Sequence, residues 1–173
     1  MPRRRSPASG TCGVFPFFRD GPQRWHYIQI TMTTSIDTIR DDFSFLDEWE
    51  DRYRYVIELG EALPSFPESA QTDTNKVQGC VSQVWLVTHK DEGADPVIRF
   101  EGYSDAHIVR GLVAIMLALF SGHRASEIMA TDAEATLKSL GLNEHLSPQR
   151  ANGLRSMVKR IKRDAEAALH QVA

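Results

Sequence analysis

The chain has 173 residues, with 20 Lys and Arg against 23 Asp and Glu for a net charge of −3. Its 42% apolar and 25% charged content is that of a globular domain and excludes a disordered chain. The charge is unevenly placed. Residues 1–31 hold Arg3, Arg4, Arg5, Arg19 and Arg24 with the single acid Asp20, a net +4, so the other 142 residues carry −7. An acidic body argues against nucleic-acid binding, which draws on Lys and Arg contacts to phosphate.

Residues 1–31 contain Pro2, Pro7, Pro16 and Pro22 and scattered aromatics, without helical or strand period. The basic start imitates a signal peptide, but Ser6, Pro7, Ser9, Gly10, Thr11 and Gly13 leave no apolar core behind it. We read 1–31 as a disordered or mis-assigned extension, with Met32 as an alternative start and a transit peptide as the other alternative. Residues 32–173 are then the working domain.

From Ile36 the pattern turns helical: Ile36, Ile39, Phe43, Leu46, Trp49, Tyr53, Val56 and Ile57 recur at spacings of three and four. This predicts one long helix or two short ones, with Gly60 as the stop and Leu63-Pro64-Ser65-Phe66-Pro67 as a breaker. Val84, Leu86 and Thr88 alternate with Gln83, Trp85, Val87 and His89 in a strand, and 97–103 forms a second after a turn at 93–96. Residues 75–78 are a candidate strand before the cysteine. Ser104-Asp105 suits a helix start, with Ser as the cap.

The helix predicted over 106–120 is apolar nearly all round and belongs at the centre. Its uncharged run between Arg110 and His123 is too short for a membrane span. Two shorter helices are predicted at 125–130 and 132–140, with Gly141 as the stop. Ser147-Pro148 opens the last helix, whose inward face is Ala151, Leu154, Val158, Ile161, Ala165 and Leu169. The sum is an α+β domain, a small antiparallel β-sheet packed against helices.

Two cysteines, Cys12 and Cys80, make no secreted disulfide framework, so a reducing cytoplasm is the default. Cys80 is the candidate nucleophile. Beside it, Gly79 takes positive φ cheaply and lets the thiol ride on a turn. The same residue also fits an inert, buried core cysteine, and spacing alone leaves both readings open. The six histidines form no metal-binding pair, and no phosphate-binding or nucleophile-elbow motif occurs, so no resident metal or cofactor is expected. Lys159, Arg160, Lys162 and Arg163 are most simply charge at the negative end of the last helix. Asp41-Asp42 and Asp47-Glu48 fit a solvated helix face.

The run 43–166 resembles the SufE family of sulfur acceptors. The matching pieces are Trp49-Glu50-Asp51-Arg52-Tyr53-Arg54-Tyr55 with Leu59-Gly60, and Val77-x-Gly79-Cys80-x-Ser82-Gln83-Val84-Trp85. Further on come Gly102-Tyr103-Ser104-Asp105-Ala106-x-Ile108-Val109-Arg110-Gly111-Leu112 and His145-Leu146-Ser147-Pro148-x-Arg150-x-Asn152-Gly153-Leu154. Val81 departs from the polar residue common at that place.

The resemblance implies a SufE/IscU-like fold. It also implies that Cys80 takes sulfur as a persulfide from a PLP-dependent, SufS-like cysteine desulfurase, stimulates that enzyme, and passes sulfur to a SufBCD-like iron–sulfur scaffold complex. Gly79, Asp105 and Arg150 are implied as supports of the cysteine loop or of the partner surface. A non-covalent desulfurase-binding module, or a carrier feeding another thiolation pathway, is the alternative. A U-type cluster scaffold is disfavoured because cluster ligation needs several thiolates.

Overall fold

A computed structural model describes residues 34–170. Cys12 and the Met32 start therefore lie outside the described residues.

The first apolar stripe forms two helices, α1 (Ile36–Phe45) and α2 (Trp49–Glu61). Ser35 caps α1 by accepting from the Thr38 N–H at 3.1 Å, and extended backbone at Leu46 and Glu48 separates the two helices. Gly60 is not the stop. It lies inside α2, where a side chain would meet the backbone of Gly111 at 2.6 Å. The glycine is there for a close helix crossing, which no single helix shows in its own sequence.

Strands β1 (Val84–Lys90) and β2 (Val97–Ser104) pair antiparallel, Val84 opposite Ser104 and Lys90 opposite Ile98. Ile98 and Phe100 point inward, as the alternation requires. Residues 75–78 do not make a full strand. Lys76 forms one isolated bridge to Trp85, flanked by Val77 N–H to Val84 O at 2.9 Å and Leu86 N–H to Asn75 O at 2.8 Å.

Helix α3 (His107–Phe120) has eleven buried residues and packs against both α2 and β2, so the central place expected for it holds. Ser104 does not cap it. Ser104 ends β2, fully buried, and the α3 cap position is Ala106, with no side-chain hydrogen bond. The Ser104 hydroxyl donates across the sheet to Gln83 O at 2.8 Å and accepts from the N–H of Ala106, ahead of the first helical turn, at 3.3 Å.

A two-residue strand, β3 (His123–Arg124), closes the antiparallel order β1-β2-β3. Helices α4 (Ala125–Ala130), α5 (Ala133–Ser139), α6 (Leu142–His145) and α7 (Pro148–His170) complete the chain order. Neither β3 nor α6 is long enough to leave a period in the sequence. Gly141, at φ +67, makes the left-handed step between α5 and α6. Helix α7 packs on α4 and α3 through Leu154, Met157, Ile161, Ala165 and Ala168, while Ala151, Val158 and Leu169 are only half-buried. Among the described residues no helix is long and apolar enough to cross a membrane. The architecture is α+β, a small antiparallel sheet packed against helices.

Candidate functional site

The bridge at 75–77 and the start of β1 at 84 are the two legs of a hairpin, and Cys80 lies in its loop, residues 78–83. Both ends of that loop are fixed. Buried Val77 donates to Val84 O on one side. On the other, Gln83 is held through both backbone groups. Its N–H donates to Asp105 Oδ1 at 3.0 Å, and its carbonyl accepts from Ser104 Oγ at 2.8 Å and from the Asp105 N–H at 3.4 Å. Asp105 therefore ties the loop to the end of β2 and does not cap α3.

Between these anchors the loop is open to solvent except at Cys80 and Ser82, which are half-buried. Gln78, Gly79, Val81 and Gln83 are exposed, and Val81 is 81% exposed. Cys80 is half-buried, its Sγ donating to the Gly153 carbonyl of α7 at 3.5 Å. At Gly153 an added Cβ would sit 3.5 Å from that sulfur, so the bare face of the helix is what the thiol rests on. Burial pushes the Cys80 thiol up from its ordinary pKa, because the thiolate loses its water.

Gly79 turns the chain with φ +87, a conformation that strains any residue with a Cβ. A Cβ there would also come within 2.7 Å of Ser156 Oγ on α7. The loop thus touches α7 at two successive residues, through Ser156 and through the Gly153 carbonyl. Arg150 stands in the first turn of α7, half-buried, with no hydrogen bond or ion pair among the described residues. Gly153 lies three positions further on, about 4.5 Å of axial rise along the helix. Gly79 and Cys80 adjoin in the loop, and Asp105 binds the loop's far end at Gln83; Arg150 shares only the helix on which the thiol rests.

Sequence reasoning missed Gly153 and Ser156. Gly153 stands within one of the family-like motifs, but the contact needs α7 to pack beside the hairpin, and no spacing along the chain encodes that. The helix-dipole explanation of Lys159, Arg160, Lys162 and Arg163 does not hold. The cluster lies in the body of α7, whose last residue is His170, whereas the dipole acts only over the final turn. Arg160 instead pairs with Asp164 at 2.8 Å and donates to Thr74 O at 3.3 Å, and Lys162 donates to Met129 O at 3.2 Å. Among the described residues no group of three His, Cys, Asp or Glu side chains is placed to hold a metal ion.

Residues 37–165 match the family model described as SufE: Fe-S metabolism associated domain. An uncharacterized SufE-like protein of Rhizobium meliloti is 68% identical over 137 residues, covering 79% of this chain and 98% of the relative. A second, from Rhizobium etli, is 63% identical over 133 residues, covering 76% of this chain and 90% of that protein. The solution structure of a hypothetical protein from Thermus thermophilus superposes with a TM-score of 0.60 at 18% identity, covering 78% of this chain and 95% of the other. At that identity the likeness concerns the fold.

Proposed function

The chain belongs to the SufE family, whose domain is associated with Fe–S metabolism, and on that premise we propose that Cys80 is its sulfur-accepting residue. The donor is the persulfide of a PLP-dependent cysteine desulfurase. The Cys80 thiolate attacks the outer sulfur of the donor persulfide, a new S–S bond forms, and the donor's own S–S bond breaks. The donor cysteine leaves as a thiolate, so no external oxidant or reductant is needed. Cys80 then carries one extra sulfur to iron–sulfur cluster assembly in the cytoplasm. Draining the donor persulfide is how the chain stimulates the desulfurase. Residues 32–173 form the acceptor domain in this reading.

The observation that carries this reading is the placement of the thiol on a short loop anchored at both ends and loosely seated between them. Resting on Gly153, Cys80 is neutral and half-covered, which keeps it from reacting indiscriminately. When the loop leaves α7 on docking, the thiol regains water and its ordinary acidity, and the thiolate forms where the donor sulfur waits. Gly79 absorbs the backbone change. Asp105 keeps the far end of the loop in register. Arg150 offers a positive charge on the helix face the loop leaves.

Cys80→Ser tests it. The variant folds normally and stimulates the desulfurase not at all; retention of full stimulation would refute the covalent role and leave a binding module.

A further inference from the structure

Beside the cysteine loop, on the other side of Ser156, lies a cleft of about 330 Å³ between the segment 73–78 and α7. Its walls carry Lys76, Lys159, Arg160 and Arg163, with Gln78 and Ser156 at the end shared with the loop. The acids facing it are Asp73, and Asp164 behind Arg160 and Arg163. Asp164 is occupied by Thr88 and Arg160, which makes Arg160 part of the wall. Lys76 and Lys159 have no ion pair among the described residues, and Lys159 and Arg163 are exposed. On a body carrying −7 this is a local reversal of sign, one residue away from Gly79.

We propose that this cleft receives an acidic segment of the sulfur-donating protein, so that partner recognition and thiol release occur at one place; the inference rests on the sulfur-acceptor reading above. The cations are arranged for a chain of charges and not for one small anion. Lys159 and Arg163 are one helical turn apart, about 6 Å along α7. That matches alternate residues of an extended peptide, about 6.6 Å apart with side chains on one side. Ser156 lies between the cleft and Gly79, so an acidic chain drawn along the cationic wall meets the loop at the residue that turns it.

The test uses the full chain, the Lys159→Glu/Arg163→Glu variant and the milder Lys159→Gln/Arg163→Gln, with the cysteine desulfurase of the same organism as the probe. Both positions are exposed, and the alkylation rate of Cys80 by iodoacetamide in the absence of the desulfurase reports an intact site. The half-saturating concentration for desulfurase stimulation should rise on the order of tenfold in the reversed variant at low salt, and less in the neutral one. The wild-type value should rise with ionic strength and the reversed variant's should not. Three outcomes would overturn the inference. A wild type that takes sulfur while both variants saturate at its concentration sinks the cleft and spares the acceptor reading. Competitive inhibition of the wild type by millimolar sulfate, with variants of unchanged protein affinity, makes the cleft a small-anion site. A wild type that takes no sulfur from the desulfurase removes both.

Discussion

Two places in this molecule bring main chain close to a neighbouring element through a glycine, and they achieve opposite things. Where α2 crosses α3, Gly60 and Gly111 face each other, and an added Cβ at Gly111 would overlap the Val56 carbonyl. The obstacle there is backbone on backbone, surrounded by Val56 and Leu112, each 1% exposed, so nothing can give way. At the cysteine loop, Gly79 is exposed, and among the described residues an added Cβ there would meet only the side chain of Ser156. The first glycine removes space so that two helices lock. The second supplies a backbone conformation, φ +87, on a segment with few contacts to hold it. A locked crossing and a left-handed turn come from the same residue type, and the neighbour decides which.

That contrast can be broken most decisively at the crossing. Gly111→Ala should cost about 3 kcal/mol or more, because the helices must separate or bend; chemical unfolding of the variant measures it, and wild-type stability would show that the crossing has slack. Gly79→Ala should cost less, about 1–2 kcal/mol for the left-handed backbone. Adding Ser156→Gly should relieve the contact but not the strain. A double variant as stable as Ser156→Gly alone would assign the whole cost to the hydroxyl.

The crossing and the loop also differ in how far they could be read from residues alone. Helix α3 is apolar on every side and so announces its central place, and the alternation in 83–89 and 97–103 fixes β1 and β2 to within a residue. Pro148 opens α7 as its ring requires. Gly60 and Gly111 are legible only as glycines, since their partner is across space. Ser104-Asp105 carries a strong local signal for capping, and tertiary hydrogen bonds to Gln83 override it. The thiol itself is legible through Gly79-Cys80 and the resemblance. What seats it, the Gly153 carbonyl, belongs to a residue 73 positions away.

Smaller effects sharpen the picture of the loop. Asp105→Ala removes the acceptor for the Gln83 N–H and should cost about 1 kcal/mol. The same change should speed alkylation of Cys80, since one anchor of the loop is gone. An unchanged rate would mean that Val77 and Ser104 hold the loop unaided. The pH dependence is subtler. With its pKa raised in the folded state, the thiol's contribution to stability is present below the pKa of a free cysteine and is lost as pH rises through the folded value. Alkylation of the folded protein should therefore reach its midpoint at higher pH than that of the unfolded chain. Coincident midpoints would place the resting thiol in water.

All of these describe a thiol seated lightly so that it can leave, and under the proposed function it leaves in order to take up sulfur. The direct measurement is the mass of the Cys80 peptide under non-reducing conditions after the protein is incubated with the desulfurase and free cysteine. A gain of about 32 Da on that peptide, one sulfur held as a persulfide, is the predicted result. An unmodified Cys80 peptide beside a stimulated desulfurase would contradict it.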